Sequence, residues 1–270
     1  PIPFYGELGS VNPVVITSAA LREDSVGLAA GLAASFTLGV GQFCTNPGLI
    51  FAPAGQDFAE QVAAAASATA EAEMLTPGIA QAYRDGWDRL TGVAGVRVVT
   101  AAQGDDRTAG PGVAVTSLAA FAANPVLAEE IFGPATLIVE FADDAELLTV
   151  LGGLAGSLTA TVQAAAGEEI TELVAVLSAR AGRVLFGGWP TGVAVTWSQH
   201  HGGPWPATTS LHTSVGATSL RRFLRPIVFQ GAPAAVLPSA LRDENPLGIP
   251  RRVNGVLTLG GAIDPVPEGR

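Results

Sequence analysis

The sequence predicts an α/β protein: a doubly wound, mostly parallel sheet followed by a C-terminal arm. Three observations carry this. Short β-branched runs alternate with helical stretches as far as about residue 187. Beyond that point the alternation fades and Pro, Gly, aromatic residues and Arg accumulate. The chain of 270 residues, 48% hydrophobic and 14% charged, is long and apolar enough for a sizeable core. Strands separated by helices imply right-handed crossovers and a sheet covered on both faces.

The elements follow in order. Residues 11–16 form a β-branched strand, and 21–38 a helix with Glu23 and Asp24 placed in its first turn, where acids suit the dipole. A short strand over 48–52 precedes an Ala-rich helix over 56–73. Thr76 and Pro77 make a helix start, N-cap then first position, for 77–90. Strands are expected over 96–100, 113–117 and 135–141, with a short helix over 125–130. Helix over 143–151, strand over 158–164, helix over 168–181 and strand over 184–186 complete the pattern, and a short helix over 219–224 follows. We place the catalytic domain at residues 1–226 and an oligomerisation or docking arm at 227–270.

Composition excludes several functions. All 14 basic residues are Arg, so Schiff-base, pyridoxal and Walker-type chemistry lack their lysine. A net charge of −10 argues against nucleic-acid binding. The single Cys44 excludes an internal disulfide framework and reads as a reducing, cytoplasmic setting. Two uncharged stretches, 25–56 and 147–167, are rich in Ala and Gly rather than Leu, Ile and Phe, and are expected as buried core rather than membrane spans.

Few residues can carry chemistry. Cys44, in Gly41-Gln42-Phe43-Cys44-Thr45-Asn46-Pro47-Gly48, falls between a helix end and a strand, where a thiol can face a cleft; a small buried hydrophobe is the other reading. Glu7, in an apolar, Gly-rich setting before a strand, is either a general base with a raised pKa or a surface acid. Glu129-Glu130 alone reads as a helix end. His200, His201 and His212 have no carboxylate at ligand spacing, so no metal site is expected. Gly39-x-Gly41-x-x-Cys44 fails the dinucleotide pattern. Arg221, Arg222 and Arg225 form a basic patch expected to make salt bridges.

Three ordered motifs together resemble the aldehyde dehydrogenase superfamily: Glu7-Leu8-Gly9 with Asn12-Pro13, Gly41-Gln42-x-Cys44 with Thr45, and Glu130-Ile131-Phe132-Gly133-Pro134. Phe4-Tyr5-Gly6-Glu7-Leu8-Gly9-Ser10, Cys44-Thr45-Asn46-Pro47-Gly48 and His201-Gly202-Gly203-Pro204 resemble the branch acting on α-ketoglutaric semialdehyde or fatty aldehydes. The resemblance covers nearly the whole chain.

It implies an NAD- or NADP-dependent oxidation. Cys44 would attack the aldehyde, forming a thiohemiacetal and then a thioester, and Glu7 would activate the hydrolytic water. Glu130 and Phe132 would bind the nicotinamide end of the cofactor. Phe43, His201 and Trp205 would contact substrate, the loop 201–208 bordering its tunnel. Ser10 stands where Gly is commoner, which suits the branch; Gly187 replaces an Asn, leaving a local hydrogen bond in doubt. The family's cofactor-binding half should precede Glu7. We expect it to be absent from this chain, along with its adenosine site, cofactor-contacting Lys and oxyanion-hole Asn. The expected partners are a small aldehyde, that N-terminal domain and further copies of the protein, with no nucleic acid or membrane. Two rival functions are a cofactor-independent thiol esterase using Cys44 and a non-catalytic assembly module.

Overall fold

A computed structural model describes residues 2–192 and 195–260. The chain divides between Arg222 and Phe223 into two compact units. In the first, β1 (Val14–Ile16), α1 (Ser18–Thr37), β2 (Leu49–Pro53), α2 (Phe58–Ala66), β3 (Ala72–Glu73) and α3 (Pro77–Thr91) follow one another. Then come β4 (Arg97–Thr100), β5 (Thr108–Ala109), β6 (Gly112–Ser117), α4 (Leu118–Ala123) and β7 (Ala135–Phe141). Finally α5 (Asp144–Gly153), β8 (Ser157–Gln163), α6 (Thr171–Ser178) and β9 (Ala181–Phe186) complete the unit. The second unit contains a small antiparallel hairpin, β10 (Arg251–Val253) and β11 (Val256–Thr258), where the sequence suggested only loop. Residues 261–270 of the expected arm lie outside the described residues.

Seven strands form one sheet in the order β4-β6-β7-β2-β1-β8-β9. Every pairing in it is parallel except β4 with β6. Alternate side chains of each strand feed two separate cores. Val14, Ile16, Ile50, Val113 and Ile138 pack with Leu21, Leu32 and Phe36 of α1 and Val62 of α2 on one face. Val15, Phe51, Leu137, Val139 and Val162 pack with α3, α4, α5 and α6 on the other. Burying a side chain of this size contributes about 1.5–3 kcal/mol, so a sheet covered on both faces is the stable solution for such strands. Ser18–Gly41 is long and apolar enough by composition to cross a membrane. Here its Leu21, Leu32 and Phe36 are buried in the core, while two thirds of the apolar window is not buried.

Several boundaries differ from expectation. Thr17 caps α1 by accepting from Ala20 N–H, so the helix begins at Ser18 and no acid lies in its first turn. Asp24 instead breaks the helix, with φ −153°, and its carboxylate accepts from Gly27 N–H at 2.8 Å, capping the second half. The Ala-rich helix stops at Ala66, because Ala72–Glu73 leaves to pair with Thr108–Ala109. Helix α4, absent from the sequence reading, is capped by Ser117. A 3-10 segment over Ala217–Phe223 stands in place of the short helix expected there.

Candidate active site

The chemistry-bearing residues gather at the amino ends of the parallel strands. Residues 7–12 lead into β1, 41–48 into β2, 130–134 into β7, and 156 into β8. Parallel pairing brings all four connections to one edge of the sheet.

Asn12 ties two of these connections to β8. Fully buried and held at φ 48°, its side-chain amide donates to the carbonyls of Cys44 and Asn46, both at 2.9 Å. Its Oδ1 accepts from Ser10 Oγ at 2.7 Å and Thr159 Oγ1 at 3.0 Å. Ser10 Oγ in turn accepts from Leu158 N–H at 2.8 Å. Burying these groups unpaired would cost about 1–3 kcal/mol each, so the network specifies one geometry for the Cys44 loop. Asn12 stands inside a quoted motif, yet its stapling role was not deducible from spacing.

The Cys44 loop turns through three successive left-handed residues, Gly39, Val40 and Gly41, at φ 58°, 58° and 64°. For β-branched Val40 that conformation costs about 1–2 kcal/mol. Gly41 sits directly on the Gly133 carbonyl and Pro134 nitrogen, where a Cβ would overlap the backbone. Asn46 Nδ2 donates to Gly133 O at 3.1 Å, closing the same contact. The Gly41-Gln42-x-Cys44 and Gly133-Pro134 motifs are therefore two halves of one backbone packing.

Glu7 is placed by pairing with the 201–208 loop: Leu8 N–H donates to Ala207 O at 3.0 Å, and Glu7 bridges Thr208. His201 is fixed through its own backbone, which donates to Thr213 Oγ1 at 2.8 Å and accepts from Ser214 N–H at 2.9 Å. Its side chain is 6% exposed, and Nε2 lies 3.1 Å from Glu7 Oε2 and 3.4 Å from Cys44 Sγ. His201 thus joins the nucleophile cluster itself, a closer placement than the tunnel border expected for it.

The electrostatics follow. Hydrogen bonds to Cys44 and to Glu7 push His201 up to about 9, burial opposing. Raised to about 9, the ring is charged at neutral pH beside the Cys44 sulfur. Glu7, for which a raised pKa was one of two readings, is lowered, chiefly because His201 hydrogen-bonds its ionised form, against desolvation. Glu7, Cys44 and His201 place one donor atom each within 4.8 Å of one another, a convergence that the sequence spacing had not suggested.

Cys44 and Glu7 open onto a cavity of about 440 Å³ shared with Leu8, Gly9, Ser10, Glu130, Phe132 and Leu158. Glu130 Oε2 accepts from Ser10 N–H at 3.3 Å. Close packing lifts its carboxyl to about 7, with the Glu7 charge adding and the Ser10 N–H opposing; solvent still reaches it through the cleft. The exposed Phe43 covers Gly39, and Trp205 is 70% exposed while its carbonyl accepts from Gly156 N–H; neither lines this cavity. Glu129 only approaches Arg89 at 3.7 Å on the surface. Arg222, expected to make a salt bridge, stacks over the Tyr5 ring at 5.1 Å and donates to His212 O.

Comparison with known proteins gives the chain's family and fold. The aldehyde dehydrogenase family model matches residues 2–224. The chain is 47% identical over 263 residues to alpha-ketoglutaric semialdehyde dehydrogenase 2 of Azospirillum brasilense, covering 94% of this chain and 50% of that protein. It is 41% identical over 267 residues to alpha-ketoglutaric semialdehyde dehydrogenase of Acinetobacter baylyi, covering 96% and 51%. The chain therefore spans about half the length of the curated relatives it matches. In fold it is similar to the aldehyde dehydrogenase KauB from Pseudomonas aeruginosa, with TM-score 0.66 at 17% identity, covering 80% of this chain and 45% of that one. It is likewise similar to 1-pyrroline-5-carboxylate dehydrogenase from Thermus with bound NAD, with TM-score 0.65 at 20% identity, covering 82% and 43%. With a family match over most of its length and relatives at this identity, the chain belongs to the aldehyde dehydrogenase family.

Proposed function

We propose that this chain carries the catalytic centre of an NAD(P)-dependent oxidation of an aldehyde, a semialdehyde such as α-ketoglutaric semialdehyde or a fatty aldehyde, to its carboxylate. The observation that supports this most directly is the convergence of Cys44, His201 and Glu7 beside a cavity that also holds Glu130 and Phe132. Cys44 Sγ attacks the carbonyl carbon, and His201, charged and fixed at the sulfur, holds the thiol's proton at Nε2. With a nicotinamide bound as hydride acceptor, the thiohemiacetal would lose its hydride and leave a thioester on Cys44; water aligned by Glu7 and giving it a proton would then hydrolyse the thioester and return the Cys44 sulfur.

The residues on the far side of the cavity fit the nicotinamide end of a dinucleotide: an acceptor carboxyl, Glu130, and an aromatic edge, Phe132, both facing Cys44 across the same space. NAD or NADP bound there supplies the hydride acceptor. We propose that the remaining cofactor contacts come from protein outside these residues, and that 227–270 serves as an assembly arm. Two contacts cannot offset the lost freedom of a flexible dinucleotide, so calorimetry of this chain alone should show no micromolar binding of NAD or NADP.

The mechanism is tested in the enzyme containing this chain. Glu7→Gln should lower the steady-state rate while sparing the initial burst of reduced cofactor, because only thioester hydrolysis needs the aligned water. Loss of burst and steady state together would assign Glu7 to the earlier step, through its hold on His201. Ester hydrolysis without cofactor, lost in Cys44→Ala and unaccompanied by aldehyde oxidation, would favour the thiol esterase.

A further inference from the structure

We propose that Cys44, His201 and Glu7 form a zinc-binding site whose occupation reversibly blocks the thiol. The three side chains offer a thiolate sulfur, an imidazole nitrogen and a carboxylate oxygen, the ligand types that zinc takes in three-ligand sites with an open fourth position. Their spacing fits. With metal–ligand bonds of about 2.3 Å to sulfur and about 2.0–2.2 Å to nitrogen and oxygen, tetrahedral coordination separates sulfur from nitrogen by about 3.6 Å and nitrogen from oxygen by about 3.4 Å. The observed separations are 3.4 Å for Cys44 Sγ to His201 Nε2 and 3.1 Å for Nε2 to Glu7 Oε2. All three donor atoms lie within 4.8 Å of one another. For the two pairs that include His201, movements of a few tenths of an ångström would reach those separations.

The surroundings suit a metal of this class. His201 is fixed by two backbone hydrogen bonds, and the Cys44 carbonyl is held by Asn12, so two ligands are preorganised by elements that need not move. Glu7 and Cys44 face the cavity of about 440 Å³, leaving the fourth position to water. Sulfur with imidazole selects zinc over magnesium or calcium, which prefer all-oxygen shells. Binding releases to solvent the proton held between the Cys44 sulfur and His201 Nε2 and engages the sulfur lone pair required for attack. The blocking effect rests on the nucleophile assigned above; the site itself rests only on the three side chains.

The test uses the 270-residue chain after treatment with chelator. Zinc chloride titrated calorimetrically should bind with one ion per chain. Cobalt(II) should give a sulfur-to-metal charge-transfer absorption that is missing in Cys44→Ser. His201→Asn and Glu7→Gln should each weaken zinc at least tenfold, and His212→Asn should leave it unchanged. In the unsubstituted chain, zinc should slow iodoacetamide labelling of Cys44 at least tenfold, with the rate restored by EDTA. Absence of zinc uptake, uptake unchanged in Cys44→Ser or His201→Asn, or labelling indifferent to zinc would overturn the site. Cys44 that labels readily with or without zinc removes only the metal inference and leaves the nucleophile standing. Cys44 that never labels in the folded chain removes the nucleophile, while calorimetry and cobalt spectra still judge the metal.

Discussion

The two edges of the sheet hold polar residues for different purposes. At the carboxyl edge a cavity of about 540 Å³, larger than the one beside Cys44, is lined by Thr17, Phe141, Leu147, Glu168, Ile170 and neighbours. Polar groups there are engaged in starting helices: Thr17 caps α1, Ser117 caps α4 and Asp143 caps α5. At the amino edge, Ser10, Asn12, Asn46 and His201 are buried and bonded to one another's backbones or to the reacting groups. Ligands of open α/β sheets usually bind at the carboxyl edge. The proposed chemistry is placed instead at the smaller cavity, which Cys44, Glu7 and Glu130 line and beside which His201 meets the first two.

The largest effect expected from this contrast is kinetic. In the enzyme containing this chain, Cys44→Ala should lower aldehyde oxidation roughly 10⁴-fold or more, as removal of a nucleophile does. Glu172→Gln, on the rim of the carboxyl-edge cavity, should change the rate less than about threefold, since surface changes away from a site act weakly. A comparable loss in both would erase the distinction between the edges.

His201→Gln comes next, with a loss of about 10²–10⁴-fold expected for a positioned proton-transfer group. Stability should show it too. His201 is raised from its ordinary value to about 9, so its charged form stabilises the fold; that contribution is complete below about 6.5 and is lost as pH rises through about 9. Glu7 is lowered, so its contribution is present above its ordinary value and is lost as pH falls through the depressed one. In chelator-treated protein, the Tm gap between the unsubstituted chain and His201→Gln should therefore be widest between about pH 5 and 6.5 and should narrow as pH rises through about 9. A gap that widens with alkali would show that the ring is not held charged.

A pair of glycines sharpens the comparison further. Gly41 at the amino edge and Gly167 beyond β8 at the carboxyl edge have φ of 64° and 77°, but a Cβ at Gly41 meets the Gly133 backbone whereas one at Gly167 meets nothing within 4 Å. Gly41→Ala should cost about 3 kcal/mol or more, the left-handed penalty plus overpacking, and Gly167→Ala about 1–2 kcal/mol, both measured by denaturant unfolding. Smaller still is the contrast between Asn12→Ala, about 2 kcal/mol from unpaired buried groups, and Thr17→Ala, about 1 kcal/mol from a lost cap. Equal costs within either pair would mean that the amino edge is no more tightly specified than the carboxyl edge.

The residues that the sequence made legible are those with local signals. Thr76-Pro77 marked the start of α3 because cap and proline act within one turn. The β-branched run Ala135–Phe141 identified β7 over its full length. Cys44, Glu7, Glu130 and Phe132 were found through short motifs, and all four line one cavity. What escaped notice depends on distant partners. His201 meets Cys44 across 157 residues, and no spacing rule links them. Ala-rich sequence favours helix but does not say where helix ends, so α2 was drawn too long until β5 claimed Ala72–Glu73. The apolar sequence neighbours of Glu7 leave the direction of its pKa open, because the deciding group is the distant His201.

The central claim, that the amino edge holds a thiol activated by His201, is tested most directly by the rate of Cys44 alkylation with iodoacetamide near neutral pH. The folded, chelator-treated chain should label at Cys44, identified by peptide mapping, faster than the same chain in denaturant, and His201→Gln should remove that advantage. Labelling only after denaturation, or an unchanged rate in His201→Gln, would contradict the account.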